Sequence, residues 1–298
     1  MPEQSTRHIL MIEPAVFYAN PETMETNVYQ VDEKAVESGA IYQKALKEFK
    51  DYRDMLVENG VIVTTSYGKK ECPDMVFPNW VSTHEGRRLV IYPMYNDNRR
   101  AERVPEVIDF LKKAYPDVID LSPYEREGLF LEARGSIVAD RVNKVGYIAL
   151  SKRTSREMAM KWAKMMNYKV EIFDTLSHSG QPVYHTDLVM YVGSTLAGIC
   201  TPCIVEKDRA RVLERIKKTH EVVEFTMEQL KFFCGNALEV RGKDNENMLA
   251  MSSAAYKALT KEQLAVMEKH FARILHSPLP TLEKYGGGSA RCMLMELY

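Results

Sequence analysis

One cysteine near the end of the sequence has the surroundings of a nucleophile. Cys292 comes four residues after the run Gly286–Gly288 and directly after Arg291. Consecutive glycines cost backbone entropy, but they are useful where the chain must come close to a ligand, and a neighbouring arginine favours thiolate over thiol. The apolar stretch that follows predicts a short strand that anchors the loop. The pattern therefore favours a nucleophilic cysteine over a mobile tail with an incidental thiol.

A histidine and an aspartate stand together just before an apolar segment in the middle of the chain. His185 and Asp187 are two residues apart, so they project to the same side if the segment is extended. A histidine there can act as a general acid or base near neutral pH, and Asp187 can orient it or hold a cationic substrate. Such a pair is also common on ordinary surfaces. No third ligand stands at a convincing spacing, so a metal site is not predicted.

Further polar residues stand in apolar or aromatic contexts. Glu132 precedes a glycine-led segment, and Asp74 and Asn79 flank an aromatic one. Arg153 stands where a predicted strand passes into a helix, and its guanidinium could fork onto a carboxylate. The competing interpretation is structural, with Glu132 in a salt bridge to Arg134 or Arg153.

The pair Cys200 and Cys203 forms a CxxC motif. Redox or zinc chemistry is one interpretation. The sequence holds no second CxxC, and the motif follows an apolar strand, so a pair of structural thiols is favoured.

The elements that must position these residues repeat along the chain. Apolar runs and helical spacing predict units of strand, strand and helix, about five in number when both ends are included. The predicted strands are 9–12, 61–65, 75–82, 89–92, 135–141, 147–151, 188–192, 196–200, 235–241, 248–252 and 293–297. The predicted helices are 35–59, 105–114, 155–166, 208–218, 254–259 and 261–275. Five such units could close around an axis, with a site where loops converge, although the pattern also allows an open α/β sheet.

Composition excludes several classes of protein. The 298 residues carry a formal net charge of −1, which favours neither nucleic acid nor an anionic membrane as partner. No apolar run approaches the roughly 18 residues that a membrane helix needs. Five scattered cysteines and a polar N-terminal stretch without a signal-peptide core predict a reducing, cytoplasmic location. No linker-like stretch divides the chain, so a single domain over 1–298 is predicted, and nothing calls for a metal or other cofactor.

In combination, the candidate residues resemble a known superfamily. They occur in the order used by the guanidino-group-modifying enzymes, which include arginine deiminases, dimethylarginine hydrolases and amidinotransferases. The similarity is strongest to the amidinotransferase-like branch that contains citrulline-utilisation hydrolases. The segments that carry it are Glu13–Gln30, Phe77–Gly86, Tyr92–Arg100, Tyr184–Leu188 and Glu283–Leu294. The resemblance implies an α/β fold, the five-bladed pseudosymmetric propeller (pentein) of ββαβ units.

The resemblance also implies roles for individual positions. Cys292 matches the nucleophile and His185 the general acid/base. Glu132 and Asp187 match acids that grip the substrate nitrogens, although the deiminase pattern EGGD reads EARG here. Arg153 matches an arginine that holds the substrate carboxylate.

Two positions leave the charge of the substrate open. Asn79 stands where deiminases have an aspartate, which suits a neutral ureido group at least as well as a guanidinium. Asp74 could compensate for the missing carboxylate, and Arg291 could add positive charge near the thiol.

The implied activity is cysteine-dependent hydrolysis at the guanidino or ureido carbon of arginine, citrulline or a related amino acid. An amidinotransferase that passes the carbon unit to an amine, a non-catalytic ligand-binding propeller and CxxC redox chemistry are the alternatives. A small-molecule substrate is expected, and a homodimer is an open expectation.

Overall fold

The computed structural model describes residues 3–33 and 37–298. Within these residues the chain forms fifteen strands, which join into five three-stranded sheets. The strands are β1 His8–Glu13, β2 Ile62–Tyr67, β3 Val81–His84, β4 Arg88–Ile91, β5 Asp117–Asp120, β6 Val138–Asp140, β7 Val145–Ala149, β8 Lys169–Phe173, β9 Met190–Val192, β10 Leu196–Ile199, β11 Glu221–Glu224, β12 Leu238–Arg241, β13 Asn247–Ser252, β14 Arg273–Ser277 and β15 Met295–Leu297.

The same described residues contain eleven α-helices, several of them single turns. The helices are α1 Ser38–Glu58, α2 Asp97–Arg100, α3 Pro105–Ala114, α4 Ala133–Ser136, α5 Arg156–Met166, α6 Thr186–Val189, α7 Glu206–Lys217, α8 Met227–Lys231, α9 Ser253–Ala258, α10 Lys261–Met267 and α11 Pro280–Gly286. Among these described helices, none is both long and apolar enough to cross a bilayer.

All five sheets share one plan. The central strands β1, β4, β7, β10 and β13 each pair antiparallel with one neighbour and parallel with the other. Parallel neighbours need a crossover, and helical segments supply it between each central strand and its parallel partner. The repeating unit is therefore ββαβ, and the predicted five-bladed α/β propeller is confirmed.

The antiparallel strand of each sheet lies toward the centre of the molecule. β15 contacts β3, and β9 contacts both β6 and β12. These strands are almost wholly buried. Short segments from all five units therefore meet around one axis, and the loops at their ends share one space.

The larger helices present one apolar face to the sheets. In α1 the buried residues are Ile41, Ala45, Phe49, Tyr52 and Leu56, which recur every three or four positions. This spacing places them on one side of a helix with 3.6 residues per turn. The charged opposite face stays in solvent, as the sequence pattern predicts. Two residues of the predicted helix 35–59, Ala35 and Val36, lie outside the described residues.

Several predicted boundaries differ from the structure. Residues 75–80 form a turn followed by irregular backbone, and strand β3 begins only at Val81. Where the predicted strands 135–141 and 188–192 begin, the structure has the helical turns α4 and α6. The residues of both turns are buried, and burial alone does not separate a short helical turn from a strand. The predicted helix 261–275 ends at Met267, and its last residues belong to β14.

The first sheet joins distant parts of the chain. β1 pairs antiparallel with β15. The Thr6 hydroxyl donates to the Leu297 carbonyl at 2.8 Å, and the Tyr298 hydroxyl donates to the Gln4 carbonyl at 2.7 Å. This pairing fixes the segment just before β15, in which Cys292 lies.

Candidate active site

A pocket with about 250 Å³ of empty space lies at the end of the axis where the predicted site residues meet. Five of the eight predicted residues line it: Asp74, Asn79, Arg153, His185 and Cys292. Two more, Glu132 and Asp187, contact lining residues. The structure thus brings seven of the eight positions to one place, from segments spread over most of the chain.

The glycine run shapes the loop that carries Cys292. A Cβ atom on Gly286 would lie 2.5 Å from the Phe77 ring, and one on Gly287 would lie 2.5 Å from the Asn27 side chain. Gly287 also has a φ of +61°, which non-glycine residues rarely adopt. The glycines therefore allow the close packing that places Cys292 on a one-turn 3₁₀ helix, Arg291–Met293, facing the pocket.

The Cys292 thiol is buried among polar groups. It donates to Asp187 Oδ2 at 3.4 Å, and Asn236 Nδ2 donates to the sulfur at 3.2 Å. Burial, reinforced by the Asp187 carboxylate, raises the pKa of the thiol to about 12. Cys292 is therefore a thiol at neutral pH, and a thiolate needs added positive charge.

His185 and Glu132 form a buried pair beside the thiol. His185 Nε2 lies 2.7 Å from Glu132 Oε2, while Glu132 Oε1 accepts from the backbone N–H of Tyr95 at 3.1 Å. Burial opposes ionisation of Glu132, yet the hydrogen bond from His185 and the charge of Arg153, 3.8 Å away, lower its pKa to about 2. Burial lowers the pKa of His185. A carboxylate beside a neutral imidazole is the resulting state at neutral pH.

Gly135 sets the position of the imidazole. A Cβ atom on Gly135 would lie 2.6 Å from His185 Nδ1 and 2.8 Å from Cε1. The ring therefore packs on bare backbone in the single turn α4, which begins right after Glu132. One short segment thus supplies both the carboxylate that pairs with the imidazole and the surface on which the ring lies.

Three buried oxygens at the site have no donor within the described parts of the chain. They are Asp74 Oδ1, Asn79 Oδ1 and Asp187 Oδ1. The other oxygen of Asp74 accepts from Asn20 and Thr23 at 2.8 and 3.0 Å. Burial raises the pKa of Asp187. Buried acceptors are normally satisfied, so this set calls for a ligand that carries several N–H groups.

Arg153 is held by the loop segment that contains Thr23 and Thr26. Its Nε donates to Thr26 Oγ1 at 2.9 Å, and one terminal nitrogen donates to the Thr23 carbonyl at 3.1 Å. The guanidinium also lies over the Tyr184 ring, 4.7 Å from its centroid. The other terminal nitrogen, Nη1, makes no hydrogen bond to the described residues, so a ligand carboxylate could reach Arg153 while these loop contacts stay in place.

Arg291 lies elsewhere than the sequence suggested. Its terminal nitrogens donate to the Leu294 carbonyl and to Glu296, both at 2.8 Å, and it lines a different cavity on the axis. Its side chain turns away from the sulfur because Glu296, a buried carboxylate on β15, offers an ion pair on the other side. Arg291 therefore does not line the pocket that contains Cys292.

Arg134 supplies a cation behind the thiol instead. It donates to the Cys292 carbonyl at 2.6 Å and also to the carbonyl of Pro78, the residue before Asn79. The sequence suggests Arg134 or Arg153 as the ion-pair partner of Glu132. In the structure this partner is Arg153, and Arg134 has the separate role of holding two backbone carbonyls.

Asn236 was not identified from the sequence. Besides its contact with the sulfur, its Nδ2 donates to the Asp187 carbonyl at 3.0 Å and its Oδ1 accepts from the backbone N–H of Arg291 at 3.0 Å. One buried amide thus ties the nucleophile to the Asp187 segment. The sequence offered one signal, the similarity between the segment that begins Gly235-Asn236 and the segment that begins at Gly135, since both have an arginine six residues after the glycine.

The CxxC pair has no connection with this pocket. Cys200 and Cys203 are buried, and Cys200 Sγ donates to the Thr226 carbonyl at 3.5 Å. Neither lines the pocket. The described residues contain no group of three His, Cys, Asp or Glu side chains suited to hold a metal ion.

Residues 13–298 match the profile of the family described as "N,N dimethylarginine dimethylhydrolase, eukaryotic". The chain belongs to this family. The match covers all of the site segments described above. No protein in the curated set matches the sequence.

Solved structures of other proteins share the fold. The N-terminal domain of ArgZ, an arginine dihydrolase of cyanobacteria, covalently bound to a reaction intermediate, has a TM-score of 0.77 at 19% identity, covering 98% of this chain and 97% of that one. Unliganded AgrE gives 0.78 at 16% identity, covering 98% of this chain and 39% of that one. DDAH from Pseudomonas aeruginosa, a cysteine variant in complex with citrulline, gives 0.69 at 19% identity, with 97% and 98% covered. The chain spans about 40% of the full length of ArgZ.

Proposed function

We propose that this protein is a cysteine-dependent hydrolase that acts on the guanidino or ureido carbon of arginine, citrulline or a related amino acid. The family match and the arginine and citrulline chemistry of the similar structures support this class of substrate. Cys292 is the nucleophile and His185 the general acid/base. Glu132 holds the imidazole, and Asp187 binds the substrate.

One observation carries the proposal. The pocket is lined by a thiol, an imidazole and two buried oxygens, those of Asp74 and Asn79, that lack donors in the described chain. A third such oxygen belongs to Asp187, which accepts from the thiol through its other oxygen. A guanidino or ureido group is planar and carries several N–H donors around one carbon. It can satisfy these oxygens while its carbon lies near the sulfur, which is the arrangement that nucleophilic attack needs.

The protonation states suggest how the reaction starts. Because Glu132 is ionised and accepts from His185 Nε2, Nδ1 is the imidazole atom left to take a proton. The Cys292 proton passes to Nδ1 as the thiolate attacks the substrate carbon, and a cationic substrate favours this transfer by lowering the pKa of the thiol. The imidazolium then gives its proton to the departing amine or ammonia.

The second half of the reaction regenerates the thiol. The substrate carbon is now attached to sulfur as a thiouronium-like or thiocarbamate intermediate. Water attacks this carbon, His185 accepts the proton that the water loses, and the carbon–sulfur bond breaks. The imidazolium returns its proton to the sulfur, so the enzyme ends in its starting state.

Asn79 bears on the choice between a guanidinium and a ureido substrate. An amide oxygen accepts a hydrogen bond without adding negative charge, so it tolerates a neutral ureido group. Asp74 is buried close by, but one of its oxygens is already taken by Asn20 and Thr23. Arg153 is the proposed partner for the substrate carboxylate, through the terminal nitrogen Nη1, which makes no hydrogen bond to the described residues. The homodimer and the cytoplasmic location stay predictions.

The test is a substrate panel. Purified protein is incubated with arginine, citrulline, agmatine and methylated arginines, and ammonia, citrulline and ornithine are measured with and without added glycine. We expect hydrolysis of at least one compound, independent of glycine. A requirement for glycine would favour an amidinotransferase, and the absence of any turnover would favour a binding protein.

Two cysteine variants sharpen this test. Cys292→Ala should abolish turnover and leave the circular dichroism spectrum unchanged, whereas the matched control Cys200→Ser should keep turnover near the wild-type level. Activity near wild type in Cys292→Ala would remove that residue from its role. Loss in Cys200→Ser with a normal spectrum would point to the CxxC pair.

A further inference from the structure

Asn236 is a buried side chain at the sulfur that the reaction steps above do not use. It lies two residues before strand β12 and has no exposed surface. Its Nδ2 lies 3.2 Å from Cys292 Sγ, within hydrogen-bonding distance of sulfur. A buried amide is costly unless its polar atoms are paired, so the partners of this amide show what it is placed to do.

Two backbone groups fix the orientation of the Asn236 amide. Its Oδ1 accepts from the backbone N–H of Arg291, and its Nδ2 donates to the Asp187 carbonyl, both at 3.0 Å. Turning the amide over would set NH₂ against N–H and oxygen against oxygen, which is unfavourable in both places. The second hydrogen of Nδ2 therefore points at the sulfur, and Oδ1 lies farther from it, at 3.6 Å.

Gly235 allows the amide to come this close. A Cβ atom on Gly235 would lie 2.4 Å from the Leu188 carbonyl oxygen and 2.7 Å from the carbonyl carbon of Val189. The chain at 235 therefore packs directly on the backbone of α6, the turn that contains Asp187. The backbone N–H of Asn236 also donates to the Phe233 carbonyl at 2.8 Å. The donor is thus held in place before any charge develops on the sulfur.

The groups that contact the sulfur respond differently when the thiol loses its proton. Burial and the Asp187 carboxylate raise the pKa of the thiol to about 12, and the backbone of Ser289, the Asn236 side chain and the charge of Arg134 oppose this rise. Asp187 Oδ2 accepts from the thiol at 3.4 Å, but it repels a thiolate. The hydrogen bond from Asn236 becomes stronger instead, because its acceptor becomes charged.

Three other titratable side chains lie close to the sulfur. His185 lines the same pocket, and burial lowers its pKa. Burial also raises the pKa values of Tyr184 and Tyr52. All three groups are therefore neutral at pH 7, so none of them supplies a fixed charge that would stabilise the thiolate before the proton moves.

We propose that the Asn236 side-chain amide is a catalytic hydrogen-bond donor that stabilises the thiolate of Cys292. This role rests on the function proposed above, in which Cys292 is the nucleophile. The amide acts first when the thiol proton passes to His185 Nδ1. It acts again when the carbon–sulfur bond breaks and its electron pair returns to the sulfur. In both steps a donor that is already in place stabilises developing charge without reorganisation.

Alkylation of Cys292 tests this role without any substrate. The rate of labelling by iodoacetamide is measured by mass spectrometry at pH 8–10 for wild type and Asn236→Ala, with circular dichroism as the check of folding. Loss of a donor to a charged sulfur should slow labelling about tenfold at each pH. A purely structural role predicts the opposite, because burial is the main cause of the raised pKa. A loosened pocket would expose the sulfur and speed its labelling.

Asn59→Ala is the matched control. The Asn59 side chain donates to the Met55 carbonyl and accepts from Arg273, both at 2.8 Å, and it does not line the catalytic pocket. The control therefore removes an amide with two hydrogen bonds from another part of the molecule. Cys292 in this variant should be labelled at the wild-type rate.

A second variant covers the case in which Asn236→Ala does not fold. Asn236→Ser keeps a small polar side chain, but this side chain is one bond shorter, so its hydroxyl lies farther from the sulfur than Nδ2 does. Labelling of Cys292 should again be slower than in wild type. Labelling at the wild-type rate or faster in either folded variant overturns the proposal.

Turnover distinguishes this proposal from the proposed function. If wild type hydrolyses a substrate, kcat/KM for that substrate should fall at least about tenfold in Asn236→Ala. Hydrolysis together with unchanged labelling and unchanged kcat/KM would refute the role of Asn236 and leave the role of Cys292 intact. If wild type hydrolyses nothing in the panel, the proposed function fails, and the labelling rates still decide whether Asn236 stabilises the thiolate.

Discussion

Gly135→Ala is the most direct test of how the imidazole is held. The added methyl group would lie 2.6 Å from His185 Nδ1, whereas ordinary contacts begin at 3.4 Å. The ring must therefore move by about 0.8 Å, because Gly135 lies in a buried turn that has little room to yield. Such a shift would stretch the 2.7 Å contact between His185 Nε2 and Glu132 beyond the range of a good hydrogen bond.

The expected cost falls mainly on catalysis. A displacement near 1 Å of a group that takes part in proton transfer costs on the order of 100-fold in rate, so kcat/KM should fall by about 100-fold. Overpacking should also lower the free energy of unfolding by about 1–3 kcal/mol. The assay is ammonia release from the best substrate of the panel, with urea denaturation in parallel.

Gly39→Ala is the matched control. A Cβ atom on Gly39, in the first turn of α1, meets nothing within 4 Å. This variant should keep full activity and stability. If Gly135→Ala is folded and hydrolyses the substrate at the wild-type rate, contact with Gly135 does not hold the imidazole of His185 in its catalytic position.

Three further predictions follow from the charges at the site. Because the pKa of Cys292 is raised to about 12, its labelling by iodoacetamide, followed by mass spectrometry, should rise about tenfold per pH unit from pH 7 to 10; a plateau below pH 9 would contradict this. The pKa of Glu132 is about 2 in the folded protein, so its stabilising effect is present above about pH 4.5 and lost as the pH falls toward 2. The difference in free energy of unfolding between wild type and Glu132→Gln, measured by urea denaturation, should therefore shrink between pH 5 and pH 2.5. A constant difference would show that the contact of Glu132 with His185 does not stabilise the fold. Asn79→Asp should shift the ratio of kcat/KM for arginine over citrulline by about 10- to 100-fold toward arginine, because it adds a charged acceptor; an unchanged ratio would show that Asn79 does not contact the reacting group.

The sequence predicts the central strands and one outer strand, β2, but not the other four outer strands. The central strands carry apolar runs, since they are covered on both faces. The outer strands β5, β8 and β11 have four or five residues, mix apolar with charged residues and are partly exposed. Such a short mixed segment gives too weak a signal to separate it from a loop. β14 was assigned to a helix because its apolar residues continue the spacing of α10.

The site shows a similar division. Cys292, His185, Asp187 and Asn79 could be found because reactive or charged groups stand in recognisable motifs. Asn236 and the role of Arg134 could not, since each acts through backbone carbonyls and amides of residues far away in sequence. Arg291 is next to the nucleophile in sequence, but its side chain projects from the side of the one-turn helix that is opposite to Cys292 and enters another cavity. Adjacency in sequence therefore says little about which cavity a side chain enters.

The pairing of β1 with β15 has a consequence for how the protein folds. β1 and its antiparallel partner β15 are separated in sequence by the other thirteen strands of the described residues. Pairing over such a separation is entropically expensive and slow. One edge of β1 therefore stays unpaired until β15 docks, and the segment that leads into β15 also brings the nucleophile. Activity should therefore appear when β15 pairs with β1 and closes the propeller, in the final kinetic phase of refolding.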